Sequence, residues 1–335
     1  MSDHRLLNPI HVTQVHAVNL TAMVSQAERK RFGILSSLLL VYYLFRFLYH
    51  TIRTRSYWFL RYYPGHFGST IPDAREVRRQ TKRVFNDDSQ PCPGIDIQVE
   101  RQIDRLKTLS KHFRDFPFPP LPDSEFRYHY QNSMYGLGDG LLLYAFLRHY
   151  RPQQLIEIGS GFSSALMLDT VDRHPETQTR FTFIEPLPRR LQRLLRPQDT
   201  ERCRIIRKNV QKVDLSFFKA LNENDILFID SSHVVKIGSD VSHILFEILP
   251  SLKRGVLVHF HDIWWPFEYP REMIMEGRIW NEPYFLRSFL QFNHTFEIIY
   301  FASYLEKVHR EVFLEQTPDH LCGASGKSLW LRKKG

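Results

Sequence analysis

Short apolar runs alternate with amphipathic segments through the second half of the chain. Runs at 154–159, 180–185, 203–208, 225–230, 255–261 and 295–301 read as buried strands. Between them, 163–173, 188–196, 214–221, 239–249 and 283–292 carry helical spacing. Asp139 reads as the N-cap of a helix over 141–150, and Ser328-Leu-Trp-Leu-Arg332 as a closing strand. Strands and helices in this alternation demand a doubly wound α/β sheet. The last two runs, Phe296 to Phe301 and Leu329 to Arg332, have no helix of useful length between them, so an antiparallel edge pair is expected.

The first 127 residues follow another pattern. Ile34, Leu35, Leu38, Val41, Tyr42, Phe45, Leu48, Tyr49 and Ile52 fall at helical spacing, opposite a narrower polar face of Ser36, Tyr43, Arg46, His50 and Arg53. The uncharged run from Phe32 to Phe45 is shorter than the roughly 20 residues a bilayer span needs. Its basic and aromatic flanks (Arg53, Arg55, Tyr57, Trp58, Arg61) suit a helix lying in a headgroup region. Packing on the catalytic domain or on a second subunit, as in a homodimer, fits residues 32–61 equally. After a turn at Pro64-Gly65 come a basic helix over 73–85, a loop at Asp87 to Gly94, an amphipathic helix marked by Ile95, Val99, Ile103, Leu106 and Leu109, and a stiff proline segment, Phe116 to Pro122. The expected division is therefore an N-terminal extension (1–63), a helical linker or cap (64–127) and an α/β domain (128–335).

Composition changes this picture little. A net charge of +9 favours anionic surfaces, but the basic residues are spread along the chain. The densest group, Arg75, Arg78, Arg79, Lys82 and Arg83, sits at helical spacing and reads as a solvated helix face before a nucleic-acid groove. Cys92, Cys203 and Cys322 are widely separated and show no CxxC spacing, which argues against a disulfide framework or a zinc site. With no secretory signal pattern evident, the expected location is cytoplasmic, with a peripheral place at the inner face of a membrane if the 32–61 helix contacts lipid.

The chemistry is concentrated where strands meet loops. Leu155-Ile-Glu-Ile-Gly-Ser-Gly-Phe-Ser-Ser164 reads as a strand breaking into a glycine turn and then a helix. Gly159 and Gly161 leave backbone open to a ligand. Glu185, at the end of the second strand, can accept both hydroxyls of a ribose. A dinucleotide fingerprint would require a third glycine where Ser164 stands, and Glu157 at the mouth of the first strand would repel a pyrophosphate. A carboxylate there can instead engage the ammonium of a methionine moiety. These features favour S-adenosylmethionine over NAD.

With Asp225-Ile-Leu-Phe-Ile-Asp230, Leu249-Pro250 and the closing strand, the chain from 128 onward resembles the class I S-adenosylmethionine-dependent methyltransferases. Asn132, Tyr135, Gly138 and Asp139, followed by Asp230-Ser-Ser-His233, make it most similar to bacterial small-molecule O-methyltransferases. The resemblance implies a Rossmann-like seven-stranded sheet whose last strand is antiparallel. It also implies cofactor contacts at Glu157, Gly159, Ser160, Gly161 and Glu185, with Asn209 and Val210 beside the adenine and Asp230 at the end of the fourth strand.

Ligands of open α/β sheets lie beyond the carboxyl ends of the strands. There the chain places Asp230-Ser-Ser-His233 and His259-Phe-His-Asp-Ile-Trp-Trp-Pro266. His261 and His233 are the candidate bases for a hydroxyl, Asp262 and Asp230 the groups that would fix an imidazole tautomer, and Trp264 and Trp265 a candidate aromatic wall. The plainer alternatives are a hydrogen-bonded structural role for one histidine of the His259/His261 pair, a loop cap for His233, and packing for the tryptophans. Catechol-type methyltransferases hold Mg²⁺ through two Asp and an Asn; Asp230 and Asp262 match two places, but Ile263 stands at the third, so a metal is not favoured. The expected function is methyl transfer to an oxygen, or a nitrogen, of a small metabolite. The alternatives are a cofactor-binding relative without methyl transfer and a nucleic-acid methyltransferase. The latter is weakened by Asp230-Ser-Ser-His233 standing where an Asn-Pro-Pro-Tyr-type sequence would be.

Overall fold

The computed structural model describes residues 41–42, 44–45, 48–49, 61–85, 92–318 and 326–335. They fall into two compact units, one within Met1–Asn86 together with Pro270–Ile279, the other within Asp87–Tyr269 together with Trp280–Gly335. In the first, Asp73 caps the short helix Ala74–Arg79, its Oδ1 accepting from the Arg75 and Glu76 amides, and Thr81–Val84 follows. Arg75, Arg78, Arg79, Lys82 and Arg83 are all exposed, as expected of a solvated face. The described helical residues of 41–49 expose Val41, Leu44, Phe45 and Leu48. The rest of the 32–61 helix lies outside the described residues. Among the described residues, no helix is long and apolar enough to cross a membrane.

The second unit is built on seven strands: β1 (Gln154–Ile158), β2 (Arg180–Ile184), β3 (Cys203–Ile206), β4 (Ile226–Ile229), β5 (Leu257–Phe260), β6 (Phe296–Phe301) and β7 (Leu329–Lys333). The sheet order is β3-β2-β1-β4-β5-β7-β6, with β1 to β5 parallel and β7 antiparallel to both neighbours. β1 pairs with β2 on one side and β4 on the other, so the chain reverses its direction of winding there and leaves a crevice beyond the strand ends. β4 and β5 are buried at every position, which explains why they read as continuous apolar runs.

At the end of the chain the expected antiparallel edge pair is present, β6 with β7, but one expectation is corrected. Short helices, Ala302–Val308 and Arg310–Gln316, do intervene between β6 and β7. The chain uses them to return β7 into the sheet between β5 and β6, leaving β6 at the edge. Leu329, Trp330 and Leu331 are fully buried there.

Four helices position the site: α1 (Val99–Leu109), α2 (Leu137–Tyr150), α3 (Phe162–Arg173) and α4 (Glu282–Leu290). α1 covers the β6 edge. Its buried Gln102 accepts from the Phe301 amide (2.7 Å) and donates to the Ile97 carbonyl, satisfying an amide that would otherwise be left unpaired. α2 packs across the sheet, with Phe146 stacked on Trp330 at 3.7 Å. It starts at Leu137, so Asp139 lies inside its first turn and is not its N-cap. The Asp139 carboxylate accepts instead from the Lys327 amide (2.7 Å) and the Ser328 hydroxyl (3.0 Å), pinning the start of β7 beneath the helix. Of the cysteines, Cys92 is buried and Cys203 half-buried, both as free thiols, and Cys322 lies outside the described residues.

Arg127 ties the entry of this unit to its first helical layer. Its buried guanidinium donates to Asp169, Asp172 and Asp199, each at 2.6 Å, while its amide donates to Asp169. Removing one partner from such a cluster leaves buried carboxylates uncompensated. Arg127→Ala is therefore expected to lose about 3–5 kcal/mol in denaturant-induced unfolding. A loss below about 1 kcal/mol would show that water replaces the guanidinium at no cost.

Candidate functional site

The glycine turn after β1 is shaped by the neighbouring strand. Gly159 adopts φ +85°, and a Cβ there would lie 1.8 Å from the carbonyl oxygen of Asp230. Only glycine meets both conditions. Gly161 is different: its φ of 177° is ordinary extended backbone, and a Cβ would come no nearer than 3.2 Å, to the Arg190 side chain. Its amide donates to Ser164 Oγ (3.0 Å) as α3 begins.

Glu157 does not stand at the mouth of the strand. It is fully buried behind the turn, and the hydroxyls of Ser163 (2.5 Å) and Ser164 donate to its two oxygens. Burial pushes its pKa up to about 8, against the pull of the two serines. The side chain braces the turn against α3.

Beyond the carboxyl ends of β1, β2 and β4 lies a cavity of about 400 Å³ lined by Gly159, Glu185, Asn209, Val210, Asp230 and Lys236, among others. Five of the residues expected to hold a cofactor thus converge, drawn from four separate strand ends. Glu157, Ser160 and Gly161 are not part of this lining. Glu185 Oε1 accepts from the Leu187 amide at 2.9 Å, which steadies its carboxylate at the rim. A larger cavity of about 560 Å³ opens at the other end of the strands, around Thr182, Arg204 and Phe217. It contains none of the expected site residues and lies away from the end of an open sheet where ligands bind.

On one wall of the smaller cavity, Asp230 joins a buried cluster. Its Oδ1 lies 3.3 Å from His261 Nδ1 and 3.4 Å from His233 Nε2. Asp262 approaches both imidazoles at 3.8 Å, and Lys327 Nζ lies 3.5 Å from it. Two further acids close the cluster from behind. Asp139 Oδ2 is 3.4 Å from His261 Nε2, and Glu282 Oε2 is 2.8 Å from His233 Nδ1. His233 and Asp262 both hold positive φ (58° and 57°), a strained backbone that packing must maintain.

Burial alone would lower both imidazoles. At His233 the hydrogen bonds to Asp230 and Glu282 outweigh it and hold the pKa at about 10; at His261 the charges of Asp230 and Asp262 raise it well above the ordinary value. The same contacts overcome burial at Asp230 and hold its carboxyl far below the usual range. The surrounding carboxylates thus favour the protonated form of both imidazoles. Of this cluster Asp230 lines the cavity; its side chain is 30% exposed and that of Asp262 15%, against 6% and 2% for His233 and His261.

The other candidates separate in the same way. His259 is fully buried, stacked on Phe228 at 3.8 Å, with neither ring nitrogen hydrogen-bonded; burial pushes its pKa well down, so it is a neutral core residue. Trp265 is core, packed edge-on against Tyr304 and Phe301, and is no part of an aromatic wall. Trp264 remains near the rim, with Lys327 Nζ 5.6 Å from its ring centre. Asn132 shapes a turn by accepting from the Tyr135 amide, and the buried Tyr135 ring lies 5.1 Å from His261. The donors do not fit Mg²⁺. Ile263 is fully buried and offers none, Asp230 Oδ1 is shared by two imidazoles, and among the described residues no His, Cys, Asp and Glu group of three or more is arranged for a metal.

The two glycines of the turn give a sharp contrast. Gly159→Ala is expected to cost about 3 kcal/mol or more, through left-handed strain and overpacking together, and Gly161→Ala no more than about 1 kcal/mol. Equal unfolding midpoints in denaturant for the two variants would contradict the backbone contact at Asp230.

Residues 156–263, from β1 to the loop after β5, match the family described as a methyltransferase domain. A protein of Archaeoglobus fulgidus, itself uncharacterized, is 36% identical over 169 residues, covering 49% of this chain and 75% of that protein. Among solved structures, SAH-bound Podospora anserina methyltransferase PaMTH1 shares 14% identity over 80% of this chain and 100% of its own, with a TM-score of 0.39. A cmcI structure with SAH shares 13% over 67% and 90%, with a TM-score of 0.37. Structural likeness at that level carries no argument about this chain. The matched segment runs through the five parallel strands and contains the glycine turn, Glu185, Asp230, His233, His261 and Asp262: the chain carries a methyltransferase domain on a Rossmann-like seven-stranded sheet.

Proposed function

We propose that the 400 Å³ cavity holds S-adenosylmethionine and that the enzyme methylates an oxygen of a small-molecule acceptor bound beside Asp230 and Asp262. One observation carries this reading. Asp230 lines the cavity and is also the residue shared by both imidazoles, so cofactor site and acid–base cluster meet at a single side chain.

Each residue then has a task. Glu185 accepts from the ribose hydroxyls. Asn209 and Val210 flank the adenine, and Gly159, with Ser160 and Gly161 following, leaves open backbone for the remainder. Glu157 serves the cofactor from behind, by holding the turn that Ser163 and Ser164 begin. When bound, S-adenosylmethionine supplies an electrophilic methyl group on a sulfonium leaving group. The chain's part is to orient the acceptor, accept a hydrogen bond from its hydroxyl and take up at Asp230 the proton that the oxygen sheds as it is methylated. Asp230 at the cavity wall does this, with Asp262 beside it; His261 and His233 stand against Asp230 and hold its direction. An oxygen acceptor suits carboxylates better than a protonated amine does, because a hydroxyl donates to a carboxylate while keeping a lone pair for the methyl group.

The test is calorimetry followed by transfer of labelled methyl. S-Adenosylmethionine is expected to bind and NAD not to. Glu185→Ala should weaken S-adenosylmethionine binding about tenfold to a hundredfold, the cost of losing hydrogen bonds to a charged group. Preferential NAD binding, or an unchanged affinity in Glu185→Ala, would remove the cavity assignment. Label transferred to amines and not to alcohols or phenols would remove the oxygen acceptor while leaving the cavity intact.

We also propose that the exposed apolar face at Val41, Leu44, Phe45 and Leu48, with its basic flanks, contacts an anionic lipid surface. The full chain is expected to float with phosphatidylserine vesicles and a Phe45→Glu, Leu48→Glu variant to remain in solution. Identical flotation of the two would end that proposal, and a loss of self-association in sedimentation without any flotation would transfer the face to a second subunit.

A further inference from the structure

The Asp230 cluster is held from behind by a residue that no part of the methyltransferase reading assigns. Glu282 stands 49 positions after His233 in the chain, in the first turn of α4. It is 1% exposed, and its Oε2 lies 2.8 Å from His233 Nδ1. Its other oxygen, Oε1, is buried with no hydrogen-bond partner among the described residues. A fully buried acid serving a single imidazole is a costly arrangement unless that imidazole must be held in one orientation.

The backbone repeats the attachment. The Asn281 and Glu282 amides both donate to the His233 carbonyl at 3.2 Å. Asn281 Oδ1 accepts from the Val235 amide (2.6 Å), and its Nδ2 donates to the Val235 carbonyl (3.1 Å). Trp280 covers the imidazole, with ring centres 4.5 Å apart. The start of α4 thus clasps the 233–235 segment through main chain, side chain and ring at once. With Nδ1 committed to Glu282, Nε2 is directed at Asp230 Oδ1 (3.4 Å) and Asp262 Oδ2 (3.8 Å).

We propose that Glu282 is a positioning residue: it fixes the orientation and proton of His233, and through His233 the direction and charge of Asp230 at the cavity wall. The chain of groups runs Glu282, His233, Asp230, His261, Asp139, with successive separations of 2.8, 3.4, 3.3 and 3.4 Å. His233 directly faces Glu282, Asp230 and Asp262. Beyond those lie His261, which shares Asp230, Lys327 at Asp262, and Asp240 near Glu282. Glu282 does not line the cavity, and its side-chain contact is with His233, so its effect on the cavity is transmitted by the imidazole. The inference rests on the reading of Asp230 as the shared wall of the cofactor cavity, but its first test needs no cofactor.

The experiment is ¹⁵N-histidine NMR of the full chain between pH 6 and 9, with His233 assigned from the signals lost in His233→Gln. In the wild type, His233 is expected to stay protonated on both nitrogens past pH 8. Glu282→Gln, which keeps size and removes charge, should bring its titration midpoint down by about two pH units or more, into the measured range, and Glu282→Asp should restore part of the shift. The second readout is calorimetry with S-adenosylhomocysteine at pH 6.5 and 8.5. Wild-type affinity should hold within about twofold across the two, and that of Glu282→Gln should fall about fivefold or more at the higher pH. A wild-type His233 that is neutral at pH 7 overturns the proposal even if neither variant folds. So does a Glu282→Gln protein with the wild-type titration. A shifted titration in Glu282→Gln with no S-adenosylhomocysteine binding by any form would instead retain Glu282 as the holder of His233 and remove the cavity assignment.

Discussion

At the switch point of the sheet, the backbone after β1 and the carbonyl of Asp230 after β4 approach so closely that only a hydrogen atom fits between them at Gly159. That approach joins the two halves of the site. On one side the turn leads into α3, braced by Glu157 and the hydroxyls of Ser163 and Ser164. On the other, the strand that supplies the carbonyl carries the carboxylate toward the imidazoles. Because the same residue makes the backbone contact and the side-chain contacts, the cavity cannot shift relative to the charged cluster without moving β1 against β4. Those strands are paired through Leu155–Ile158 and Ile226–Ile229, near the middle of the sheet, where local opening is least favourable.

The electrostatics follow from the same confinement. Asp139, Asp230, Asp262 and Glu282 are gathered around His233, His261 and Lys327 with little access to water. Buried charges of one sign would not persist there; alternating acids and imidazoles offset one another, and Asp230, His233 and His261 favour their charged forms. A carboxylate flanked by two imidazoles gives a wall with fixed direction. Such a wall needs little reorganisation when charge redistributes during transfer, and this is the usual source of electrostatic catalysis. It also explains the positive φ of His233 and Asp262: both residues are bent out of the ordinary backbone regions to bring side chains from two adjacent strand ends onto one point.

Particular residues show how far the pattern of the chain reached. The strands were legible because β4 and β5, covered on both faces, must be apolar throughout, and because the helices between them keep a period near 3.6. Gly159, Glu185, Asn209, Val210 and Asp230 were legible because each stands at the end of a readable strand or just beyond it. Glu282 was not. Asn281-Glu282-Pro283 has the form of an ordinary helix start, where an acid is expected for the helix dipole alone. Asp139 misled for a similar reason, since it precedes a long apolar run as an N-cap would, whereas the helix begins two residues earlier. Trp265 and His259 carry side chains suited to a site, and nothing local distinguishes a rim position from a core one.

What the sequence determined by itself was the alternation of elements, the winding of the parallel strands and the residue types placed at their carboxyl ends, because periodicity and strand burial are written in neighbouring positions. The tertiary structure alone decided which of those residues meet, that Glu157 faces inward, that β7 lies inside the sheet, and that His233 and His261 are surrounded by carboxylates. Each of these depends on groups distant in sequence being brought within a few ångströms, and on how much water is left between them. Periodicity along the chain records neither.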